Sequence, residues 1–402
     1  MKTVITGMGA VTALGDSVPE MWKNLLEGVS GADMISLFDA SGMETRFAAE
    51  AKNSFEQKAK EILRKRDSKK MTRVTRMLMV AAEEAIENSG IFRTEQDMTR
   101  VSVIIGGVST SYNENERLPA ENIIVKSMLN AFSAWLSIHY GVKGPNFVVS
   151  TACASSAYAI ALGHMFIHSG LSDVVICGGA DSQICEEGIT GFNQIMALST
   201  NNDSPKKASR PFSVDRDGFV MGEGAGVLIL ESFEHACRRD VDIFAELAGF
   251  ALFSESSDIV APQDAGAGME AVMKNAMAAA RVKPEDIGYI NAHGTSTYLN
   301  DKFETEAIKR CFGRYAENVL VSSTKSMIGH TIGAAGAIEG IVTAKSLYSG
   351  QITPTINYTR DDSLNLNYVP NAPIDKDIKV ALSNSFAFGG HNACLVFRKH
   401  NI

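Results

Sequence analysis

The sequence predicts an α/β protein with a largely parallel sheet. Continuous apolar runs at Val101–Ile105 and Asp173–Cys177 each end in glycines, as in strands buried on both faces. Helical patterns alternate with such runs, for example in the segment from about Glu121 to Tyr140. Alternation of this kind is typical of parallel strands joined by crossover helices. A short sequence repeat also indicates that one α/β unit occurs twice.

The first predicted strand, Lys2–Ile5, is followed by two glycines. Gly7 and Gly9 predict a tight turn from this strand into a loop. Thr12 occupies the third glycine position of the dinucleotide-binding pattern, so that pattern is incomplete. Farther along, a helix is predicted over Met77–Asn88.

Cys153 lies at a predicted strand-to-helix corner. The apolar run Phe147–Val149 precedes the small residues Ser150–Ser156, and a helical run, Ala157–His168, follows them. A helix start presents unpaired N–H groups and the positive end of the dipole, which stabilise a thiolate and a developing oxyanion. A packed core cysteine is the usual interpretation of an isolated cysteine. The corner position, together with two histidine segments, favours a nucleophile instead.

A short repeat relates this corner to a second one. Val148–Thr151 resembles Leu320–Ser323, and a small-residue corner and a helix follow each segment. The second corner carries about eight extra residues, which include Lys325 and His330. A duplicated unit would place the two corners symmetrically about one cleft.

Two of the eight histidines occupy positions typical of a cleft. His293 follows a predicted strand, and His330 precedes a helix that contains Glu339. Side chains at such strand ends project into the crevice of an α/β sheet. A Cys–His pair can activate sulfur, and a second histidine can donate a hydrogen bond to a carbonyl. A buried Lys325 would fix the local electric field, and Glu339 would balance it.

Composition argues against several classes of protein. The net charge of −8 argues against general nucleic-acid binding. The six cysteines are far apart and form no C-x-x-C pair, which disfavours a zinc site or disulfide framework and fits a reducing, cytoplasmic compartment. No apolar run is long enough for a membrane span.

Four segments resemble the motifs of the β-ketoacyl-acyl carrier protein synthases of the elongating, Cys-His-His type. They are Thr151–Ser156 (TACASS), Asn291–Thr297 (NAHGTST), Lys325–His330 (KSMIGH) and Asn384–Gly390 (NSFAFGG). The resemblance covers essentially the whole chain. It implies a thiolase fold, in which two βαβ-rich halves form a five-layered α-β-α-β-α core. We expect residues 1–243 to carry the cysteine, and residues 244–402 to carry both histidines and a gate loop.

The resemblance also implies a reaction. Cys153 would accept an acyl chain from a carrier protein as a thioester, and malonyl carrier protein would then bind. His293 and His330 would assist decarboxylation, and the resulting carbanion would attack the acyl-Cys thioester to give 3-oxoacyl carrier protein. The N–H groups of Cys153 and Phe388 would form the oxyanion hole.

Further roles follow from the same resemblance. Lys325 and Glu339 would support His330, Thr295 and Thr297 would contact the phosphopantetheine arm, and Asp301 would help a gate loop move. Phe388 would gate the acyl pocket within the loop Ala387–Gly390, Phe192 would line the pocket, and Phe386, Gly389 and Gly390 would contact substrate. No cofactor is expected, because phosphopantetheine arrives on the carrier protein. No catalytic metal is expected, although some relatives hold a structural cation near residues equivalent to Asn291, Glu339, Ser383 and Asn384.

The basic stretch Arg64–Arg76 gains a role because acyl carrier proteins are acidic. We expect Lys65, Lys69, Lys70 and Arg73 to contribute to docking; a solvated helix face is the alternative interpretation. The expected assembly is a homodimer, or a heterodimer with a chain-length-factor-like chain.

Several residues depart from the family pattern. Ala387 replaces a glycine of the gate loop, His391 replaces a threonine, and Tyr298 replaces a proline after the first histidine motif. The segment between Gly107 and Glu121 is short. These differences argue against a housekeeping fatty-acid role, and a specialised polyketide, aryl-polyene or unsaturated-acyl synthase is the alternative interpretation. The alternatives are a non-catalytic thiolase-fold partner, against which Cys153 argues, and a thiolase or initiating synthase, against which the second histidine argues.

Overall fold

The computed structural model describes residues 2–110, 120–262 and 264–400. The strands of the main sheet are β1 (Thr3–Val11), β4 (Val101–Gly106), β5 (Asn146–Val149), β6 (Val174–Ser182), β7 (Glu223–Ser232), β8 (Ala245–Ser254), β9 (Tyr289–Asn291), β10 (Leu320–Ser322), β13 (Val380–Ala387) and β14 (His391–Arg398). Two short ribbons pair β2 (Asp33–Met34) with β3 (Phe47–Ala48), and β11 (Gln351–Ile352) with β12 (Ile374–Asp375).

The helices alternate with these strands along the chain. They are α1 (Val18–Leu26), α2 (Ser54–Ile62), α3 (Lys65–Ser68), α4 (Arg73–Ser89), α5 (Ala120–Ser127), α6 (Ala131–Tyr140), α7 (Ser155–His168), α8 (Glu186–Gln194), α9 (Phe233–Arg239), α10 (Ala267–Ala279), α11 (Tyr298–Phe312), α12 (Lys325–Ile328) and α13 (Ala335–Ser349). In the described residues we find no helix with both the length and the apolar character needed to span a lipid bilayer.

The main sheet is mixed rather than largely parallel. Its order is β10-β9-β13-β14-β8-β1-β7-β6-β4-β5. The outer pairs are parallel, whereas every pair from β13 through β14, β8, β1 and β7 to β6 is antiparallel. The prediction was wrong here because helices cover both faces, so antiparallel strands also show continuous apolar runs.

The two ends of the sheet repeat one topology. The strands of the first half lie in the order β5-β4-β6-β7-β1, and those of the second half in the order β10-β9-β13-β14-β8. Each order is third, second, fourth, fifth and first strand of its half. The repeated sequence segments fall on β5 and β10, which are equivalent strands, so the predicted duplication is confirmed. The halves join where β1 pairs with β8.

Helices and half-sheets stack in five layers. Helices α7 and α13 contact each other and strands of both halves, so they form the central layer. A continuous apolar cluster surrounds this pair. A second cluster fills the space between the first half-sheet and α4 and α6, and another fills the space between the second half-sheet and α10 and α11. The predicted α-β-α-β-α core of the thiolase fold is confirmed.

The glycines after the first predicted strand do not form a turn. Gly7 and Gly9 lie inside β1, which continues to Val11 and is buried throughout. A Cβ atom on Gly9 would lie 1.9 Å from the carbonyl oxygen of Ala81 on α4. These glycines therefore let a helix pack directly on the strand backbone.

Gly9→Ala is expected to destabilise the protein by about 3 kcal/mol or more, because the added methyl group must displace helix backbone. The measurement is urea-induced unfolding followed by circular dichroism. Gly42→Ala is the matched control, since a Cβ there meets no atom within 4 Å. Equal stabilities of the two variants would contradict this account of β1.

Other predicted element limits also change. The helix predicted from about Glu121 to Tyr140 is two helices, α5 and α6, and the helix predicted over Met77–Asn88 begins at Arg73. Strand β6 continues through its glycines to Ser182. Most of the segment between Gly107 and Glu121 lies outside the described residues.

Candidate active site

A sharp turn between β5 and α7 presents Cys153. Ala152 has φ of 49°, a left-handed conformation that costs a residue with a Cβ of order 1 kcal/mol. The Ser155 hydroxyl accepts a hydrogen bond from the Thr151 N–H at 2.9 Å and donates one to the Ala152 carbonyl at 2.7 Å. A Cβ on Gly106 of β4 would lie 2.3 Å from Ser155 and Ser156 backbone atoms, so glycine is needed beneath the turn.

The Cys153 sulfur is a thiol in the resting site. The residue is only 7% exposed. Burial raises the pKa of the thiol to about 12, and the charge of Lys325 offsets only part of this effect. The helix start favours a thiolate, but the burial of the sulfur has the larger effect on the pKa.

His293 is held at the end of β9 by two backbone hydrogen bonds. Its N–H and the Gly294 N–H donate to the Glu304 carboxylate at 2.9 and 2.8 Å. The Lys325 ammonium lies 3.4 Å from His293 Nδ1. An ammonium can only donate, so Nδ1 accepts and Nε2 carries the proton. Burial lowers the pKa of His293 well below 6.5, and the Lys325 charge lowers it further.

His330 is fixed in the same tautomer by a different partner. The Ile332 N–H donates to His330 Nδ1 at 3.3 Å, which leaves Nε2 to carry the proton. Its ring lies edge-on to the His293 ring with centroids 5.3 Å apart. Burial lowers the pKa of His330 well below 6.5, with a further decrease caused by Lys325. Both imidazoles are therefore neutral and present an Nε2–H group.

The neutral state of His330 predicts a pH effect on stability. Below pH 6.5 an unfolded His330 binds a proton and the folded one does not, so stability is lost as pH falls. Between pH 7.5 and 5.5 the free energy of unfolding of the wild type should fall by about 1.4 kcal/mol more than that of His330→Asn. Urea titrations at both pH values test this, and equal losses would show that folded His330 is protonated.

A buried ion pair lies behind the histidines. Lys325 at the start of α12 pairs with Glu339 of α13, and both side chains are 1% exposed. Burial raises the pKa of the Glu339 carboxyl, and the Lys325 charge opposes this effect. Lys325 and Glu339 thus contact each other, Lys325 Nζ also contacts His293, and Lys325 acts on His330 through its charge.

Two acidic residues that the sequence analysis missed also shape the site. Asp181 at the end of β6 accepts hydrogen bonds from the Val108 N–H at 3.1 Å and the Gly333 N–H at 3.0 Å, which ties the first half to the segment after His330. Glu304 on α11 holds the His293 turn as described. Glu304 follows the first histidine motif by seven residues and Asp181 follows the glycines of β6, but nothing in the local sequence indicates their backbone partners.

One cavity of about 320 Å³ brings most of the predicted site residues together. Its lining includes Cys153, His293, His330, Thr295, Thr297, Phe192, Phe386 and Phe388. Residues from the two halves thus meet in one cleft, as the repeat predicted. Lys325, Glu339 and Asp301 lie behind the wall, and the side-chain hydroxyls of Thr295 and Thr297 are 2.9 Å apart.

The gate loop after β13 is hydrogen-bonded to a second loop. The Gly389 N–H donates to the Ile259 carbonyl at 2.8 Å, and the Glu255 N–H donates to the Gly390 carbonyl at 3.1 Å. Ala387 has φ of −129° and ψ of 155°, an extended conformation open to any residue. The alanine therefore causes no strain in this state. The His391 ring packs against Gly389 and lies edge-on to Tyr158.

Asp301 is a buried turn-holding residue in this state. Its carboxylate accepts hydrogen bonds from the Phe212 N–H at 2.7 Å and the Ser296 N–H at 3.2 Å. The Arg216 guanidinium lies 3.9 Å away. Its predicted effect on gate movement stays a prediction.

The basic stretch divides into exposed and internal side chains. Lys65, Lys69 and Lys70 are exposed and available to a partner. Arg73 is not, because its side chain is only 15% exposed and its guanidinium pairs with the buried Glu223 at 2.7 Å. Arg73 also donates to the Ala51 carbonyl. The assignment of Arg73 to docking was therefore wrong, because its guanidinium pairs with a carboxylate inside the fold.

Among the buried side-chain oxygens of the described residues that lack a hydrogen-bond partner, three belong to the expected cation site. They are Asn291 Oδ1 on β9, Glu339 Oε2 on α13 and Asn384 Oδ1 on β13. Asn291 pairs in register with Ser383, the fourth residue of the expected cation site. Hard cations take oxygen ligands, so this set fits such an ion. Among the described residues, no cluster of three or more His, Cys, Asp or Glu could hold a metal.

Family models match both halves of the chain. The model of the β-ketoacyl synthase N-terminal domain matches residues 2–236, and that of the C-terminal domain matches residues 244–359. The chain belongs to the β-ketoacyl synthase family. The segments that carry Cys153, His293 and His330 lie within the matched residues, whereas the gate segment Asn384–Gly390 lies outside them.

Individual relatives agree with this membership. The chain is 39% identical to 3-oxoacyl-[acyl-carrier-protein] synthase 2 of Vibrio harveyi, over 99% of this chain and 98% of that protein. It superposes on the ishigamide ketosynthase/chain length factor with a TM-score of 0.91 at 31% identity, covering 100% of this chain and 99% of that one. A type II polyketide ketosynthase, solved in complex with its acyl-carrier protein, gives a TM-score of 0.88 at 29% identity, with coverage of 100% and 99%.

Proposed function

We propose that this β-ketoacyl synthase catalyses the decarboxylative Claisen condensation of malonyl-acyl carrier protein with an acyl chain held on Cys153. The observation that carries the proposal is the shared cavity, which is lined by Cys153 and by the neutral imidazoles of His293 and His330. The product is 3-oxoacyl-acyl carrier protein, and the enzyme is an acyltransferase. Phosphopantetheine arrives on the carrier protein, so no further cofactor takes part.

The first half-reaction transfers the acyl chain. The Cys153 sulfur attacks the thioester carbonyl, the bond to the carrier sulfur breaks, and the thiol proton leaves with the departing pantetheine thiol. The helix start at α7 stabilises the oxyanion, with the Cys153 and Phe388 N–H groups as donors. Phe192, Phe386, Gly389 and Gly390 are assigned to the acyl pocket and its gate.

The second half-reaction uses the histidine pair. Loss of carbon dioxide from the malonyl group leaves its electron pair on an enolate, whose oxygen accepts hydrogen bonds from the Nε2–H groups of His293 and His330. The enolate carbon then attacks the acyl-Cys153 carbonyl, and the cysteine sulfur leaves. Thr295 and Thr297 bind the phosphopantetheine arm. A cation at Asn291, Ser383, Asn384 and Glu339 would stabilise the fold beneath the histidines.

Intact-mass analysis of the acylated protein tests the proposal. Incubation with acyl carrier proteins carrying saturated, polyene or aryl chains is expected to add one acyl mass at Cys153. Cys153→Ala should lose this adduct, whereas Cys237→Ala should keep it, since Cys237 is an exposed thiol that would report non-specific acylation. A panel in which no chain acylates Cys153 would contradict the proposal.

We also propose that the protein works as a dimer in the cytoplasm, with halves divided at residue 244. Strand β5 forms one edge of the main sheet, with Phe147, Val148 and Val149 only partly buried. An exposed apolar edge strand is a surface suited to pairing with another chain. The relative solved as a ketosynthase/chain length factor makes a heterodimer the second candidate. Exposed Lys65, Lys69 and Lys70 are assigned to the acidic carrier protein.

A further inference from the structure

Asp181 at the end of β6 is a fully buried acidic residue. Among the described residues, the hydrogen-bond donors to its carboxylate are neutral groups. They are the Val108 N–H at 3.1 Å, the Gly333 N–H at 3.0 Å and the Gln183 side-chain amide at 3.2 Å. Burial raises the pKa of the carboxyl to about 7. A carboxyl that is buried among neutral groups costs folding free energy, and such residues are concentrated at functional sites.

The two backbone donors lie beside the nucleophile but belong to different halves of the chain. Val108 and Ile332 pack in the same apolar cluster as Cys153, and Gly333 directly follows Ile332. A Cβ atom on Gly333 would lie 2.6 Å from Asp181 Oδ2, so the carboxylate reaches this turn only because residue 333 is glycine. One buried carboxylate thus holds the segment after β4 and the segment after His330 together.

The residue between His330 and this glycine turn has a strained backbone. Ile332 has φ of 47°, in the left-handed region, where a β-branched residue is an outlier that costs about 1–3 kcal/mol. The Ile332 N–H donates to His330 Nδ1 at 3.3 Å, and this contact leaves the proton on Nε2. A strained residue persists only where its surroundings hold it. The next N–H along the chain, that of Gly333, is the one that Asp181 binds.

We propose that Asp181 is a positioning residue for decarboxylation and acts through the turn that follows His330. This inference rests on the proposed condensing function. The carboxylate holds the Gly333 N–H, and the turn therefore keeps the left-handed conformation of Ile332. The Ile332 N–H then stays within hydrogen-bond distance of Nδ1, and the Nε2–H group remains directed at the enolate oxygen. Without the carboxylate, Ile332 relaxes toward an extended conformation and its N–H leaves the imidazole.

Separate measurement of the two half-reactions tests the proposal. Asp181→Ala is expected to lower kcat for carbon dioxide release from malonyl-N-acetylcysteamine about 100-fold and to leave KM within about twofold, because His330 is displaced without loss of a substrate contact. Acyl transfer to Cys153 should change less than tenfold, since backbone N–H groups hold its oxyanion. Intact mass measures this step with the carrier protein that acylates the wild type fastest. Asp181→Asn keeps an acceptor oxygen for the Gly333 N–H and should retain decarboxylation within about threefold.

Gly333→Ala tests the same contact in a chain that keeps the carboxylate, and it decides the matter if Asp181→Ala does not fold. The added Cβ displaces Asp181 Oδ2, so decarboxylation should again fall at least about tenfold. Asp173→Ala is the matched control, because Asp173 lies at the opposite end of β6 and pairs with Arg100 at 2.6 Å. Its loss should lower the melting temperature and leave both half-reactions unchanged.

The tautomer of His330 provides a measurement that needs no catalysis. In protein with isotope-labelled histidine, the nitrogen signals that disappear in His330→Asn should be those of an Nε2–H imidazole, and Asp181→Ala should add the Nδ1–H form. Unchanged carbon dioxide release in Asp181→Ala, or an equal fall of both half-reactions, would overturn the proposal. If the wild type releases no carbon dioxide but the tautomer still changes in Asp181→Ala, the condensing function fails and the positioning of His330 by Asp181 stands.

Discussion

Lys325→Met is expected to abolish condensation and to lower the free energy of unfolding by about 3–5 kcal/mol. The substitution leaves Glu339 in the core with a charge and no partner, since its Oε2 atom already lacks one. It also removes the donor that fixes the His293 tautomer. Decarboxylation should fall at least about 100-fold, because the Nε2–H group is no longer held toward the cavity. Thermal and urea unfolding, together with carbon dioxide release, measure the two effects.

Two further variants separate the effect on folding stability from the effect on decarboxylation. In Lys325→Met/Glu339→Gln the uncompensated charge is gone, so stability should largely return while decarboxylation stays low. Lys345→Met is the matched control, because Lys345 lies on the same helix as Glu339 and packs on the Trp22 and Tyr348 rings instead of an acid. Lys345→Met should leave decarboxylation unchanged. A Lys325→Met enzyme with near wild-type activity would show that His293 needs no lysine.

The residues of the active site could be predicted from the sequence more fully than the pairing of the strands in the sheet. Cys153 and the two histidines are marked by local signals, namely small residues at a corner and polar residues directly after apolar strands. The repeat then indicated which segments are equivalent, and β5 and β10 confirm it. These inferences needed no knowledge of how distant segments pair.

Strand direction depends on pairing between distant segments. Gly7 and Gly9 have the local pattern of a turn, yet they belong to a strand because α4 packs on them from about seventy residues away. The same limit explains Arg73, whose partner Glu223 lies 150 positions along the chain. A basic run shows charge but does not show which of its members point inward.

The chemical state of the site was the hardest feature to infer. A helix start predicts a thiolate, but the depth of burial decides the outcome, and burial is a tertiary property. Likewise, the shared tautomer of the histidines follows from Lys325 Nζ and the Ile332 N–H, two donors unrelated in sequence. The structure therefore indicates the protonation states: the Cys153 sulfur begins as a thiol, and both imidazole rings act as neutral hydrogen-bond donors.

Because His293 and His330 are neutral hydrogen-bond donors, we expect their loss to slow the two half-reactions to different extents. His293→Ala and His330→Asn should each lower malonyl decarboxylation by about 100- to 1,000-fold, since each removes one Nε2–H group from the enolate oxygen. Acyl transfer to Cys153 should fall less than tenfold in both, because the oxyanion of that step is held by backbone N–H groups. Carbon dioxide release and acyl-enzyme formation by intact mass measure the steps separately.

The double variant and one control variant test whether both imidazoles bind the same oxygen. If both imidazoles bind the same oxygen, the double variant should lose little more than either single one, as expected for groups that act as a unit. His164→Asn, at a partly buried histidine of α7 outside the cavity, should change neither step. If His330→Asn slowed acyl transfer as much as decarboxylation, His330 would act on the sulfur instead. The site would then operate as a Cys–His pair with a single enolate donor.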